Sequence, residues 1–185
     1  ELSTRSQEGY LETGSSYADD FSEFHVTYRF PLHSLFTEPF IFHDSASVPA
    51  PLLRYVPSGP FSGIVIYVEE ELPVHGTNGS DGLVPALFPR IYTEEMELLA
   101  AKEMVDPETL EKWGMVGYYS REDIDSLSER VGEVPLYTKA SALFGAEPTD
   151  LVIPRRGAEL ILSSEQTLRL IREGKIAIVH EAPLH

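Results

Sequence analysis

The sequence contains no cysteine. That excludes disulfides, zinc–thiolate sites and thiol nucleophiles, and it leaves the compartment open, because a secreted protein need not carry disulfides. Basic residues are scarce: 14 Lys and Arg stand against 30 Asp and Glu, a formal net charge of −16. Nucleic acids and anionic membrane surfaces both require a basic footprint, so neither is an expected partner. A basic protein partner or cations remain compatible with this charge, and solubility alone is its plainest role. No apolar run approaches the roughly 18 residues that a membrane helix needs. Internal repeats and low-complexity tracts are absent, as are Gly-x-Ser-x-Gly, HExxH and a phosphate-binding glycine loop leading into a helix. What remains is a chain of 185 residues, the size of one domain. Such a domain buries roughly 70% of its unfolded surface and needs no metal or disulfide to hold it.

Residues 1–20 are polar, with Gly9, Gly14, Ser15 and Ser16, and read as a partly disordered lead-in to a single domain over 21–185. Phe24, Val26, Tyr28 and Phe30 alternate with His25, Thr27 and Arg29, the pattern of a half-buried antiparallel strand. Short strands are expected over 38–43 and 52–56, joined by a proline-stiffened connector. Gly63-Ile64-Val65-Ile66-Tyr67-Val68 is a short β-branched run that reads as a buried strand. Three glutamates follow it, then a glycine-rich loop over 73–82. In Pro85-Ala86-Leu87-Phe88-Pro89-Arg90-Ile91 the two prolines argue for an extended edge segment or a bulged strand.

Met96, Leu99, Ala100 and Met104 have helical spacing. Asp106-Pro107 is a helix start, and Ser120 to Asp123 opens a second helix with a capping-box pattern. Ser163 with Gln166 opens a third, which Gly174 stops. Strands are expected over 116–119, 135–140 and 151–153. In the closing strand 175–180, Ile176, Ala177, Ile178 and Val179 are all apolar, which marks it as central. The expected fold is α+β (mixed α/β), a mainly antiparallel sheet with three or four short helices.

Few residues carry chemistry. The six histidines (His25, His33, His43, His75, His180, His185) have no metal-ligand spacing on an expected helix, so surface or half-buried positions are the plainer reading. Glu69, Glu70 and Glu71, with Asp81 in the following loop, could hold calcium or form an acid/base pair, although no EF-hand pattern is present. A charged strand end is more often a solvated edge that discourages aggregation. Arg155-Arg156 could dock a carboxylate, and an intramolecular ion pair is the simpler use of it. Trp113, Tyr118 and Tyr119 read as core aromatics before they read as a ligand platform.

The order of motifs is nonetheless distinctive. Val26-x-x-Arg29-x-Pro31-Leu32 is followed by Gly63 to Ile66, Pro85-Ala86-Leu87-x-Pro89-Arg90-Ile91 and Val116-Gly117-Tyr118. Arg130-Val131-Gly132, Pro135-Leu136, Asp150 to Ile153 and Gly174 to Val179 complete it. The series resembles a family of bacterial envelope proteins, often lipoproteins, related to FlgP- and FlgT-type flagellar assembly factors, whose core reads GLVIDARGL, then PALxPRI, then RVG and a closing KVxIV strand. Tyr67-Val68-Glu69-Glu70 stands where that family has DARG, so its acid and arginine are both missing here.

The resemblance implies a non-enzymatic periplasmic structural or assembly protein of the flagellar motor or a similar envelope complex. It also implies an extended hairpin as the alternative for the segment after Ile91. Protein partners in the envelope and no cofactor are the corresponding expectations, and assembly as a ring or homo-oligomer is carried over from the same relatives. The chain opens on Glu1 rather than Met, so a signal peptide or a lipid-bearing cysteine upstream is expected with that location. Pro85, Ala86, Leu87, Pro89 and Arg90 are the expected structural core of the signature, with Arg90 pinning the segment through a carboxylate. Glu69, Glu70, Glu71 and Asp81 are the expected contact surface. A periplasmic small-ligand or cation-binding module and a carboxylate-based hydrolase are the alternatives.

Overall fold

The computed structural model describes residues 11–17, 24–29, 60–121 and 123–180. The chain divides into two compact units, Glu1–Phe42 and His43–His185. In the first, β1 (Leu11–Tyr17) and β2 (Phe24–Arg29) pair antiparallel with an irregularity between Glu12 and Gly14. The alternating segment is thus a strand, and seven residues of the expected lead-in form its partner. The strands expected over 38–43 and 52–56 lie outside the described residues.

The second unit is built on β3 (Ile64–Val68) and β12 (Ile176–His180), which lie side by side and parallel. Every residue of β12 is buried, as is every residue of β3 except the half-buried Tyr67. Strands covered on both faces show continuous β-branched runs instead of alternation, which is why these two are apolar throughout. Burying each of their isoleucines contributes roughly 1.5–3 kcal/mol. β8 (Gly117–Ser120) flanks β12 and β9 (Leu136–Lys139) flanks β3, both parallel, giving the order β8-β12-β3-β9.

A second four-stranded sheet has the order β10-β11-β6-β7, from β6 (Ile91–Thr93), β7 (Leu98–Ala100), β10 (Ala142–Phe144) and β11 (Asp150–Ile153). Its β11–β6 pair is parallel and the outer pairs are antiparallel. The expectation of a mainly antiparallel sheet is therefore corrected: one sheet is wholly parallel and the other mixed. The physical reason is the alternation of strands with helices after residue 100, since parallel neighbours need crossover connections of a dozen or more residues.

Four α-helices occur among the described residues: α1 (Pro107–Trp113), α2 (Ile124–Val131), α3 (Arg155–Ile161) and α4 (Glu165–Arg172). Pro107 begins α1 as expected. At α2 the capping contact runs from the acid, with the Asp123 carboxylate accepting from Ser120 N–H (3.2 Å) and Ser120 Oγ (2.7 Å). Ser164 rather than Ser163 caps α4, its hydroxyl accepting from Thr167 N–H at 3.1 Å. The segment after Ile91 forms the β6–β7 hairpin, turned at Met96 with φ 61°, and not a helix. The glycine-rich stretch is also ordered: β4 (Leu72–Pro73) and β5 (Ser80–Asp81) pair antiparallel, and His75 N–H donates to Leu143 C=O at 2.7 Å. No helix among the described residues is long and apolar enough to cross a membrane.

Candidate functional site

In a parallel pair, residues in register point to the same face. Val65, Tyr67, Ala177, Val179, Gly117, Tyr119, Tyr137 and Lys139 therefore share one face of the first sheet. Helix α2 contacts β12 and β8 on that face, and Leu127 and Val131 join Val65, Ala177 and Val179 in one buried cluster. The β3–β9 half of the face is left open at the carboxyl ends of the strands. There a groove of about 540 Å³ is bounded by Tyr67, Tyr119, Leu127, Tyr137, Lys139 and Arg121 among others. Its position fits the rule that open α/β sheets bind ligands beyond the carboxyl ends of their strands, and its size fits a ligand pocket.

Two tyrosines make the floor. Tyr67 and Tyr137 stack with centroids 6.0 Å apart and planes 17° from parallel, and Tyr137 is 56% exposed. Lys139 Nζ lies 3.4 Å from Glu69 Oε1 across the lip, an exposed pair of small energetic weight. Tyr119 lies close to the Arg130 guanidinium. Burial raises its pKa, and Arg130 opposes that rise.

At the opposite end of the same sheet one guanidinium is buried, beside a shallow opening of about 550 Å³ lined by Ser62, Val134, Arg169 and Lys175 among others. Arg130 is 6% exposed, and three of its N–H groups reach carbonyls: Nε to Gly174 at 3.0 Å, Nη1 to Trp113 at 2.9 Å and Nη2 to Gly114 at 2.8 Å. The Trp113 and Gly114 carbonyls end α1, and Gly174 follows α4, so one guanidinium satisfies orphan carbonyls of two helices. The ring of Trp113 lies 5.2 Å from the guanidinium carbon. Burial lowers the pKa of Arg130, yet an arginine stays charged in any protein environment. Gly132 next to it has φ +72°, and a Cβ there would sit 2.7 Å from the Ser62 side chain. Ser62 in turn donates to Val131 C=O (2.6 Å) and accepts from Val134 N–H (2.9 Å).

The residues singled out from the sequence are dispersed. Of Pro85, Ala86, Leu87, Pro89 and Arg90, Pro89 is buried, Ala86 half-buried and the others exposed. The segment stays outside any strand until Ile91 enters β6. Its anchor is the Tyr118 hydroxyl, which donates to Ala86 C=O and accepts from Ala86 N–H, both at 3.0 Å. Burial pushes the Tyr118 pKa up to about 12 against the opposing effect of the Ala86 bond. Arg90 meets a carboxylate through its backbone, with its N–H donating to Asp150 Oδ1 at 2.9 Å, while its guanidinium pKa is raised chiefly by Tyr92 and also by the charges of Asp150 and Glu103.

Glu69 reaches the groove, whereas Glu70, Glu71 and Asp81 are exposed beyond it, and the Asp81 carboxylate accepts from Gly82 N–H at 2.8 Å. Among the described residues no group of three His, Asp or Glu is placed to hold a metal. Arg155 pairs with Glu159 of its own helix at 3.0 Å. His180 is buried at the end of β12, and burial lowers its pKa.

The family model for the second domain of Treponema pallidum Tp0624 matches residues 63–182. The chain belongs to that family. The Tp0624 second-domain match runs from the glycine before β3 to just past β12, so both sheets, Arg130 and the groove all fall inside it. The β1–β2 hairpin falls outside it. No curated protein matches the chain.

Sequence reasoning missed Tyr67, Tyr137 and Lys139 as one site because β3 and β9 are far apart in the chain. The available signal was a tyrosine in each of two short strands, Tyr67 in β3 and Tyr137 in β9.

Proposed function

We propose that the chain is a non-enzymatic recognition and assembly domain of the bacterial cell envelope, acting in the periplasm by seating a protein partner in the groove at the carboxyl ends of its parallel sheet. The observation that carries this reading is the open half of the sheet face, where the stacked Tyr67 and Tyr137 lie beside α2 with Tyr137 56% exposed. Tyrosines give large, rigid contact area at low conformational-entropy cost, and they are enriched among interface anchors.

The described lining offers one carboxylate, Glu69, with Lys139 beside it, which favours recognition over two-carboxylate hydrolysis. The acidic run does not converge with Asp81 on one point, so no observation favours the cation-binding alternative. Envelope location, an upstream lipid anchor and a link to the flagellar motor or a similar complex rest on the ordered motif resemblance to FlgP- and FlgT-type proteins.

The test is imaging of envelope assemblies, flagellar motors included, in cells lacking the protein and in cells complemented with native or Tyr67→Ala/Tyr137→Ala protein. Loss of a defined periplasmic density, restored by native protein and not by the equally abundant double variant, is the expected result. Intact assemblies in the deletion strain would overturn the reading.

A further inference from the structure

β12 is the central strand of the parallel sheet, and His180 is its last described residue. It is in register with Val68 at the end of β3 and Ser120 at the end of β8. Side chains alternate along a strand, so His180 points away from the groove face that Val179 lines. Its ring is 7% exposed, and its Nε2 is buried without a hydrogen-bond partner among the described residues.

A neutral imidazole tolerates that environment, whereas an imidazolium there would be a buried charge whose Nε2–H has no acceptor among the described residues. The charged groups on the adjoining strand ends are already engaged. Glu69, following β3, pairs with Lys139. Asp123, which reaches back to the end of β8, accepts from Ser120. Arg121, following β8, lines the groove.

We propose that His180 is a proton-sensitive latch on the open end of the parallel sheet. Protonation of its ring drives the last residue of β12 out of register with Val68 and Ser120 and loosens the strand ends that carry the groove. Burial as the sole cause of its lowered pKa fits this geometry. The sign follows from linkage. A histidine whose folded pKa is depressed leaves stability fully present above the unfolded value of about 6.5 and lost as pH falls below it. The latch is therefore closed at neutral pH and released on acidification, whatever occupies the groove.

The test uses the whole chain and two readouts. Amide exchange, corrected for intrinsic rates, is followed at Val68, Ser120 and His180 at about pH 7.5 and about pH 5.5, with Ile64 and Gly132 at the amino end of the sheet as references; the expected increase at the open end is about tenfold or more. In His180→Phe the acid-induced increase disappears. Equal acid sensitivity in native and His180→Phe protein would overturn the proposal. The imidazole carbon shifts of the native protein keep the test decisive if the variant does not fold. A His180 ring that stays neutral below the titration of the other histidines, until the strand end opens, supports the latch. A ring that protonates together with them in a fully protected strand refutes it.

Discussion

At the amino ends of the four parallel strands, a buried guanidinium ties together three backbone carbonyls and glycines stand where no Cβ would fit, beside a shallow polar opening of about 550 Å³ lined by Ser62, Val134, Arg169 and Lys175 among others. At the carboxyl ends of the same strands, about 540 Å³ stays open between α2 and β9, floored by tyrosine. The motif residues Gly63, Arg130, Val131, Gly132 and Gly174 all gather at the amino end. Of the groove's lining only Val179 belongs to a motif, and three lining residues, Tyr67, Val68 and Glu69, lie in the stretch that departs from the DARG pattern. A recurring sequence pattern here marks how the amino end of the sheet is held together. The proposed recognition surface lies at the other end.

Four substitutions sharpen this contrast. Arg130→Ala should have the largest effect. It orphans carbonyls at the ends of α1 and α4 and vacates a buried site, for a loss of roughly 3–5 kcal/mol in urea unfolding. Gly132→Ala should cost roughly 1–3 kcal/mol, because φ +72° disfavours a side chain and the new methyl meets Ser62.

Tyr118→Phe should cost about 1–2 kcal/mol by leaving the half-buried N–H and C=O of Ala86 without their partner. The same residue predicts an alkaline limit. Its folded pKa of about 12 exceeds the unfolded value, so its contribution is complete below about pH 10 and disappears as pH rises toward 12. Tyr118→Phe should remove that part of the alkaline loss. Tyr137→Ala should have the smallest effect on stability, under about 1 kcal/mol, and the largest on complementation of the deletion strain. A Tyr137→Ala protein as unstable as Arg130→Ala would erase the contrast between the two ends.

Much of the fold was legible in the sequence. The uninterrupted apolar runs of β3 and β12 marked central strands, and Asp106-Pro107 and Gly174 marked helix boundaries. The orientation of the sheet was misread because two-sided burial and crossover helices identify parallel strands only when taken together, and α3 was not recognised. That helix begins Arg155-Arg156-Gly157, a weak helical start, and its glycine is explained by the close approach of Thr138, which no local pattern reveals.

The signature segment was recognised, and Arg90 does meet a carboxylate, that of Asp150, though the sequence did not reveal the second anchor. The backbone N–H meets the carboxylate, and the clamp on Ala86 is a tyrosine 32 residues away. The groove was not legible because Tyr67 and Tyr137 meet only through strand register, a long-range property.

One comparison tests the central claim most directly. Val134 and Tyr137 are both well exposed, 60% and 56%; Val134 precedes β9 on the amino-end side, and Tyr137, the second residue of β9, lines the groove. A photo-crosslinking amino acid placed at each position in cells should give a discrete protein adduct from 137 and none from 134. The same adducts from both positions, or an adduct from 134 alone, would contradict the account.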